Sequence, residues 1–278
     1  MERELQKIEF ETVCLDKNGN TIEKHNSFAQ SFTVKLDQNR QIDMVEIPGG
    51  NFIMGSSPDD IEFRENEIPS HLVNVPSFFL GRFPITQTQW LAVLPQLPKM
   101  SEEFFGDEFP VVNVWLEKAL DFCARLSTIT KLNFRLPSEA EWEYACRAGT
   151  TSPFHFGATI TTDLVNYNGN PDCKNASHDK PQKRTTPISY FKAANEFGLY
   201  NMHGNVWEWC SDIWHTDYRG APTDGSPWIE GGDHSYCVQR GGSWRDRAGA
   251  CRSAFRVGDV ARNNENIVGL RVCLSNLS

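Results

Sequence analysis

Residues 240 to 256 read RGGSWRDRAGACRSAFR, a stretch with two definite ends and an indefinite middle. The first end pairs two glycines with Ser-Trp, and the second is a Cys-Arg-Ser run. Between them RDRAGA (245–250) has neither the 3.6-residue period of a helix nor the alternation of a strand. Such a segment makes sense if its ends fix the backbone and leave the middle side chains free to vary.

Outward from this stretch, the chain divides into a patterned first half and a loop-rich second half. After Gly149, Gly, Pro, Asn and Asp recur every few residues, so ladders alone cannot order the backbone. Aromatic packing, side-chain hydrogen bonds and bound ions are the alternatives. Trp142, Trp207, Trp209 and Trp244 are expected to supply core area. Upstream, NVWLEKALDFCARLSTIT predicts a helix with Trp115, Ala119, Phe122, Cys123 and Leu126 on one face. LPSEAEWEYACRAGT predicts a second, opened by a Ser138–Glu141 capping box and stopped at Gly149. TQTQWLAVL predicts a third, short helix with Thr86 as N-cap. Residues 1–40 are polar, with Asn-Gly turn chemistry between two strand-like runs. They are expected to form an arm or hairpin on a main domain of residues 41–278.

The chain has 278 residues, enough to bury a large core without crosslinks. Its net charge of −9 disfavours non-specific binding to nucleic acid or to an anionic membrane. No apolar run is long enough to span a bilayer. The start, MERELQKIEF, lacks an apolar signal core, so the cytoplasm is the expected compartment and a monomer the expected state. The eight cysteines are irregularly spaced with no C-x-x-C, which points to reduced thiols and away from a structural zinc site.

IPGGNFIMGS, RLPSEAEWEYACRAGT, GLYNMHGNVWEW, RGGSW, CRSAFR and VGLRVC occur in this order. Together they resemble the formylglycine-generating-enzyme-like, or sulfatase-modifying-factor, domain from about Met44 to Cys273. The resemblance implies an α+β, C-type-lectin-like fold, loop-rich with little regular secondary structure. It leaves function open, because the fold hosts unrelated tasks. The oxidases of this family use two cysteines and copper, five residues apart after Gly-Gly-Ser. The second falls on Cys251, but the first falls on Asp246, and a carboxylate cannot replace a thiolate on copper(I). Iron-dependent sulfoxide synthases that carry this domain need a His-x-x-x-His-x-Glu cluster, and none of the seven histidines has that spacing. His203 and His215 are expected to be ordinary polar residues.

A third class, the variable proteins of diversity-generating retroelements, displays a C-terminal region rewritten at adenines. Region 240–273 occupies that place, and RNNEN (262–266) resembles its asparagine-rich character. Randomising the adenines of an asparagine codon yields Arg, Asp, Ala, Gly, Phe, Val and Ile but not Lys, Glu, Gln, Met or Trp. None of these excluded types lies between Trp244 and Asn263. A non-catalytic display protein is therefore expected, with Arg245, Asp246, Arg247, Ala250, Phe255, Val257, Gly258 and Val260 contacting a protein or small-molecule ligand. A catalytic, metal-dependent member of the family is the alternative. The patch from Arg240 to Arg262 carries six Arg against two Asp inside an acidic chain. Arg240, Arg252 and Arg256 are expected to pair with framework carboxylates.

The resemblance also implies calcium, held by Asn201, Gly204, Val206 and Glu208 in NMHGNVWE, all through oxygen donors. A second calcium site would begin at Asn166 and Tyr167 and end near Asp179 or Lys180.

Overall fold

A computed structural model describes residues 4–57, 62–169, 180–260 and 266–275. In chain order the elements are β1 (Gln6–Leu15), β2 (Thr21–Lys35), β3 (Gln41–Ile47), β4 (Gly50–Met54), β5 (His71–Val75), β6 (Phe78–Gly81), α1 (Gln87–Val93), α2 (Leu116–Thr130) and β7 (Phe134–Arg135). There follow α3 (Glu139–Arg147), β8 (Ala193–Ala194), β9 (Trp207–Trp214), β10 (Asp233–Arg240), β11 (Arg256–Val260), β12 (Val268–Gly269) and β13 (Cys273–Ser275). A seven-stranded sheet runs β7-β13-β6-β3-β2-β1-β8, a four-stranded sheet β11-β10-β9-β12, and β4 pairs with β5 alone. This is the α+β, C-type-lectin-like arrangement that the motifs imply.

Residues 6–35 form a β1–β2 hairpin whose turn is tied by Asp16, which accepts from the backbone N–H of Asn18 and Asn20 at 2.8 and 2.9 Å. The far end of β2 pairs with β3 from Ser31–Val45 to Lys35–Gln41, so the hairpin continues the main sheet. The last strand, β13, inserts between β6 and β7, which closes the chain onto its own first half.

All three predicted helices form. In α1 the Thr86 hydroxyl accepts from Gln89 N–H while the Gln89 side chain answers to Thr86 N–H. In α2, Ala119, Phe122, Cys123 and Leu126 are buried as their spacing predicts. Trp115 is the exception: it is the extended N-cap residue of α2 and only half-buried. In α3 the Ser138–Glu141 capping box is complete, and the helix stops where Ala148 and Gly149 turn left-handed at φ 45° and 90°.

Every residue of α3 is buried, including Glu139, Glu141, Glu143 and Arg147. The helix lies between the sheets with Trp142 wholly enclosed beside Val45, Leu80, Met202 and Val238. A second cluster joins the sheet to α1 and α2 through Trp90, Phe122, Trp209 and Leu270. A buried helix with four ionisable side chains needs partners for each of them. Arg135 serves Glu141 and Glu143 serves Arg147, whereas Glu139 and Glu143 draw arginines from the loop-rich half, and these locate the candidate site. Among the described residues no helix is long and apolar enough to cross a membrane.

Candidate functional site

The 240–256 stretch closes a hairpin. Strand β10 ends at Arg240 and β11 begins at Arg256, and these two residues face each other in the antiparallel register. Both are fully buried, and both reach Glu139 of α3. Arg256 donates from Nε and Nη2 to the two Glu139 oxygens at 2.6 and 2.7 Å, and Arg240 Nε lies 3.1 Å from the same carboxylate. Arg240 also pairs with Glu143, which holds Arg147 at 2.8 Å, one helical turn on. Burial acts to raise the Glu143 carboxyl, but Arg147, Arg240 and the N–H of Gly55 prevail and hold it below its usual range. Arg252 completes the frame with a two-pronged contact to Glu67 at 2.7 and 3.0 Å. The three arginines thus pair with framework carboxylates, as the sequence predicts.

Between these anchors the chain makes one excursion. Gly241 and Gly242 have φ of 99° and 73°. A Cβ on Gly242 would stand 2.5 Å from the Cys251 sulfur, so both the backbone and the space require glycine. Residues 248–251 form a single 3-10 turn that returns the chain to Arg252.

The expected contact residues separate into two groups. Arg245, Arg247 and Val260 are exposed. Asp246 is half-buried and belongs to the frame: its carboxylate accepts from Trp207 Nε1 at 2.9 Å and from the Ser243 hydroxyl, and its carbonyl accepts from Asn168 N–H. Phe255 corrects the expectation most clearly. It is only 6% exposed, packed on Trp207 with the Arg64 guanidinium 4.7 Å above its ring. Ala250 and Val257 are half-buried against the same core, and Gly258 lies on the Trp214 ring, where a side chain would collide. Arg262 to Glu265 of RNNEN lie outside the described residues.

Asp246, Arg247, Ala250 and Phe255 come together at an open cavity of about 760 Å³ whose other wall is Glu62, Phe63 and Arg64. The 62–64 segment is absent from the sequence-based set because it is far away along the chain and carries no motif. The cavity lining mixes charge with the rings of Phe63 and Phe255, which suits a polar ligand group resting against an apolar one.

The cysteine geometry bears on catalysis. Cys251 is fully buried; burial and then the neighbouring Asp246 carboxylate push its thiol well above the usual range. Asp246, which stands where the resembled oxidases have their first cysteine, adds to the effect of burial in disfavouring the Cys251 thiolate. Cys146 lies 3.8 Å from His203 Nε2, but burial raises its thiol to about 12 and lowers His203 to about 4. That pair is a packed core contact, with His203 Nδ1 held at 2.7 Å by the Cys251 carbonyl. The seven described cysteines are all free. His215 lies stacked on Trp228 with both ring nitrogens against backbone carbonyls.

The four residues expected to hold calcium do not present a fitting set. Both Glu208 oxygens accept from Arg271 at 2.9 to 3.2 Å, and one also accepts from Trp142 Nε1 at 2.7 Å. A cation there would have to displace a buried guanidinium. Asn201 Oδ1 accepts from Asn205 at 3.3 Å, and the Gly204 carbonyl accepts from the N–H of Val206 at 2.9 Å. Asn166 is different. It is 2% exposed, and its Oδ1 has no hydrogen-bond partner among the described residues; the same holds for the buried hydroxyls of Thr185 and Thr186. These are hard oxygen donors of the kind calcium takes. Tyr167 beside it is buried with its hydroxyl on the Ile160 carbonyl, and Asp179 lies outside the described residues.

The sulfatase-modifying factor enzyme 1-like domain matches residues 30–276. The chain belongs to that family. Among its relatives is the hercynine oxygenase of Mycolicibacterium smegmatis, 29% identical over 277 residues that cover 82% of this chain. The chain spans 60% of the length of that relative and 36% of three others. Two solved structures share the family fold. PvdO from Pseudomonas aeruginosa superposes with a TM-score of 0.75 at 29% identity, covering 88% of this chain and 98% of that one. Treponema denticola variable protein 1 superposes at 0.70 and 24% identity, covering 89% and 99%.

Proposed function

We propose that this sulfatase-modifying-factor domain is a non-catalytic ligand-binding protein whose C-terminal hairpin loop displays a variable contact surface. The observation that carries the reading is the frame of Arg240, Arg252 and Arg256 on buried glutamates, with Arg245 and Arg247 exposed between the anchors. A loop fixed by side chains outside its variable middle keeps its backbone whatever the middle carries. Arg is well suited to such contacts, since its planar fork takes carboxylates, phosphates and aromatic faces alike. Shared fold with a protein named as variable is consistent with this reading, and the codon-compatible composition of 245–261 supports it.

The ligand rests against the cavity formed by Asp246, Arg247, Ala250 and Phe255 with Glu62 to Arg64, so the surface is narrower than the full set of eight residues. Arg245, Arg247 and Val260 carry the variable contacts, while Asp246, Phe255, Val257 and Gly258 shape the support. Calcium enters at the side-chain oxygen of Asn166, unpartnered among the described residues, as a structural ion. The alternative, a metal-dependent oxidase, would require Cys251 to ionise beside Asp246.

Two experiments test the proposal. Incubation with copper, a reductant and a sulfatase-motif cysteine peptide should leave the peptide mass unchanged; turnover above a no-enzyme control overturns the non-catalytic reading. A library randomised at 245, 247 and 260 should keep its melting temperature while yielding binders with different ligands. If most members unfold, the loop is framework and the display reading fails.

A further inference from the structure

A second cavity of the domain is lined mostly by the loop that follows α1 and by α2. Its volume is about 820 Å³, and it opens between the loop that follows α1 and the start of α2. Leu94, Leu97 and Met100 give it an apolar floor, and Trp115 forms a wall. The loop holds its shape through two hydrogen bonds and two prolines: Trp90 Nε1 donates to the Gln96 carbonyl at 2.8 Å, Asn113 Nδ2 donates to the Lys99 carbonyl, and Pro95 and Pro98 stiffen the backbone. Trp90 itself is fixed by stacking on Phe122 at 5.1 Å. The cavity is therefore built by packed residues, and its walls do not depend on a ligand.

Its charge is as particular as its shape. The charged lining is Lys99, Lys118, Asp121 and Arg125. Asp121 and Arg125 neutralise each other one helical turn apart, at 2.8 Å. Lys99 and Lys118 are exposed and have no ion pair among the described residues, in a chain whose net charge is −9. Lys118, Asp121 and Arg125 sit at i, i+3 and i+7 on one face of α2, so the helix directs them together along the cavity. Two ammonium groups above an apolar, tryptophan-walled floor suit an anion with an apolar body. Asn113 and Asn266, which border the same cavity, each keep a side-chain carbonyl oxygen without a partner among the described residues. Acceptors in this position favour a ligand that brings an N–H donor.

We infer that this cavity is a second binding site, for a small carboxylate with an apolar body and an N–H group, of the type of an N-acylated hydrophobic amino acid. The carboxylate rests between Lys99 and Lys118, the apolar group lies on Leu94, Leu97 and Met100 against Trp115, and the N–H meets the asparagine oxygens. The site shares no residue with Arg245 or Arg247 and does not rest on the loop reading.

The test uses N-acetyl-phenylalanine, its uncharged amide and acetate, each titrated into the full chain with tryptophan emission excited at a wavelength where the ligand does not absorb. Saturable binding of the acid is expected, with the amide at least tenfold weaker and acetate without effect. Combined Lys99→Ala and Lys118→Ala should weaken the acid at least tenfold with an unchanged melting temperature, since both side chains are exposed. Trp115→Phe should remove the fluorescence change while calorimetry still reports binding. Combined Arg245→Ala and Arg247→Ala should leave the affinity as it is, which separates this site from the display surface. Equal affinity for acid and amide overturns the carboxylate assignment. Absence of saturation up to the solubility limit overturns the site.

Discussion

Replacing Arg256 by Met tests whether the hairpin loop is held by its buried ends. Arg256 is fully buried, sandwiched between the rings of Trp214 and Tyr218 at 4.5 and 4.4 Å. It supplies two hydrogen bonds to Glu139 and also donates to the carbonyls of His215 at 2.9 Å and Asn66 at 3.1 Å. Methionine keeps much of the stem's packing and removes every donor. Glu139 is then left with Arg240 and the Tyr218 hydroxyl, which donates at 3.0 Å, and two backbone carbonyls lose a partner. Removing one member of a buried pair costs about 3–5 kcal/mol. Each orphaned acceptor adds about 1 kcal/mol or more, although neighbouring losses do not simply add. A loss of about 4 kcal/mol is the central expectation. For a domain of this size, about 1.7 °C per kcal/mol gives a fall of about 7 °C in melting temperature. Urea unfolding supplies the free energy directly, provided the slope m is unchanged. Arg247→Ala in the exposed middle is the paired control, expected within about 0.5 kcal/mol of the parent. If Arg256→Met costs less than about 1 kcal/mol, or if Arg247→Ala costs as much, the anchors do not hold the loop and the argument fails.

Burial and then Glu139 raise the Asp212 carboxyl to about 7. A group that binds its proton more tightly when folded contributes stability that is complete below its unfolded value, about 4, and is lost as pH rises through 7. The stability of the parent relative to Asp212→Asn should therefore fall between about pH 4 and 7 and then level off; a flat difference in urea titrations refutes the shift. Gly258→Ala would drive a methyl into the Trp214 ring and should cost about 1–3 kcal/mol by thermal melting, and a neutral result would show that the ring yields freely. Calcium should raise the melting temperature through Asn166, by about 2.7 kcal/mol of stabilisation at a hundredfold excess over Kd. Asn166→Ala should abolish the difference between calcium and chelator, and equal melts for the parent would exclude the ion.

Local signals in the sequence were sufficient for elements whose cause is local. The capping boxes at Thr86 and Ser138, the buried face of α2 and the left-handed stop at Gly149 depend on residues within a turn or two of one another. Ordered motifs across the chain then named the fold. The pairing of Arg240, Arg252 and Arg256 with carboxylates was also legible, because an arginine buried in a framework segment must find an anion. What only the tertiary structure decided is which anion, and which side chains face outward. Glu139 and Glu143 lie about a hundred positions from their arginines, and Glu67 lies farther still. Phe255 and Asp246 look like surface residues in a patternless segment, yet Arg64, Trp207 and Ser243 draw them into the frame. Glu208 carries an oxygen set fit for calcium until Arg271, from near the end of the chain, takes both of its oxygens. Sequence spacing reports local geometry and residue chemistry; which distant partner satisfies a buried charge depends on the chain path, and that is settled only when the sheets close around α3.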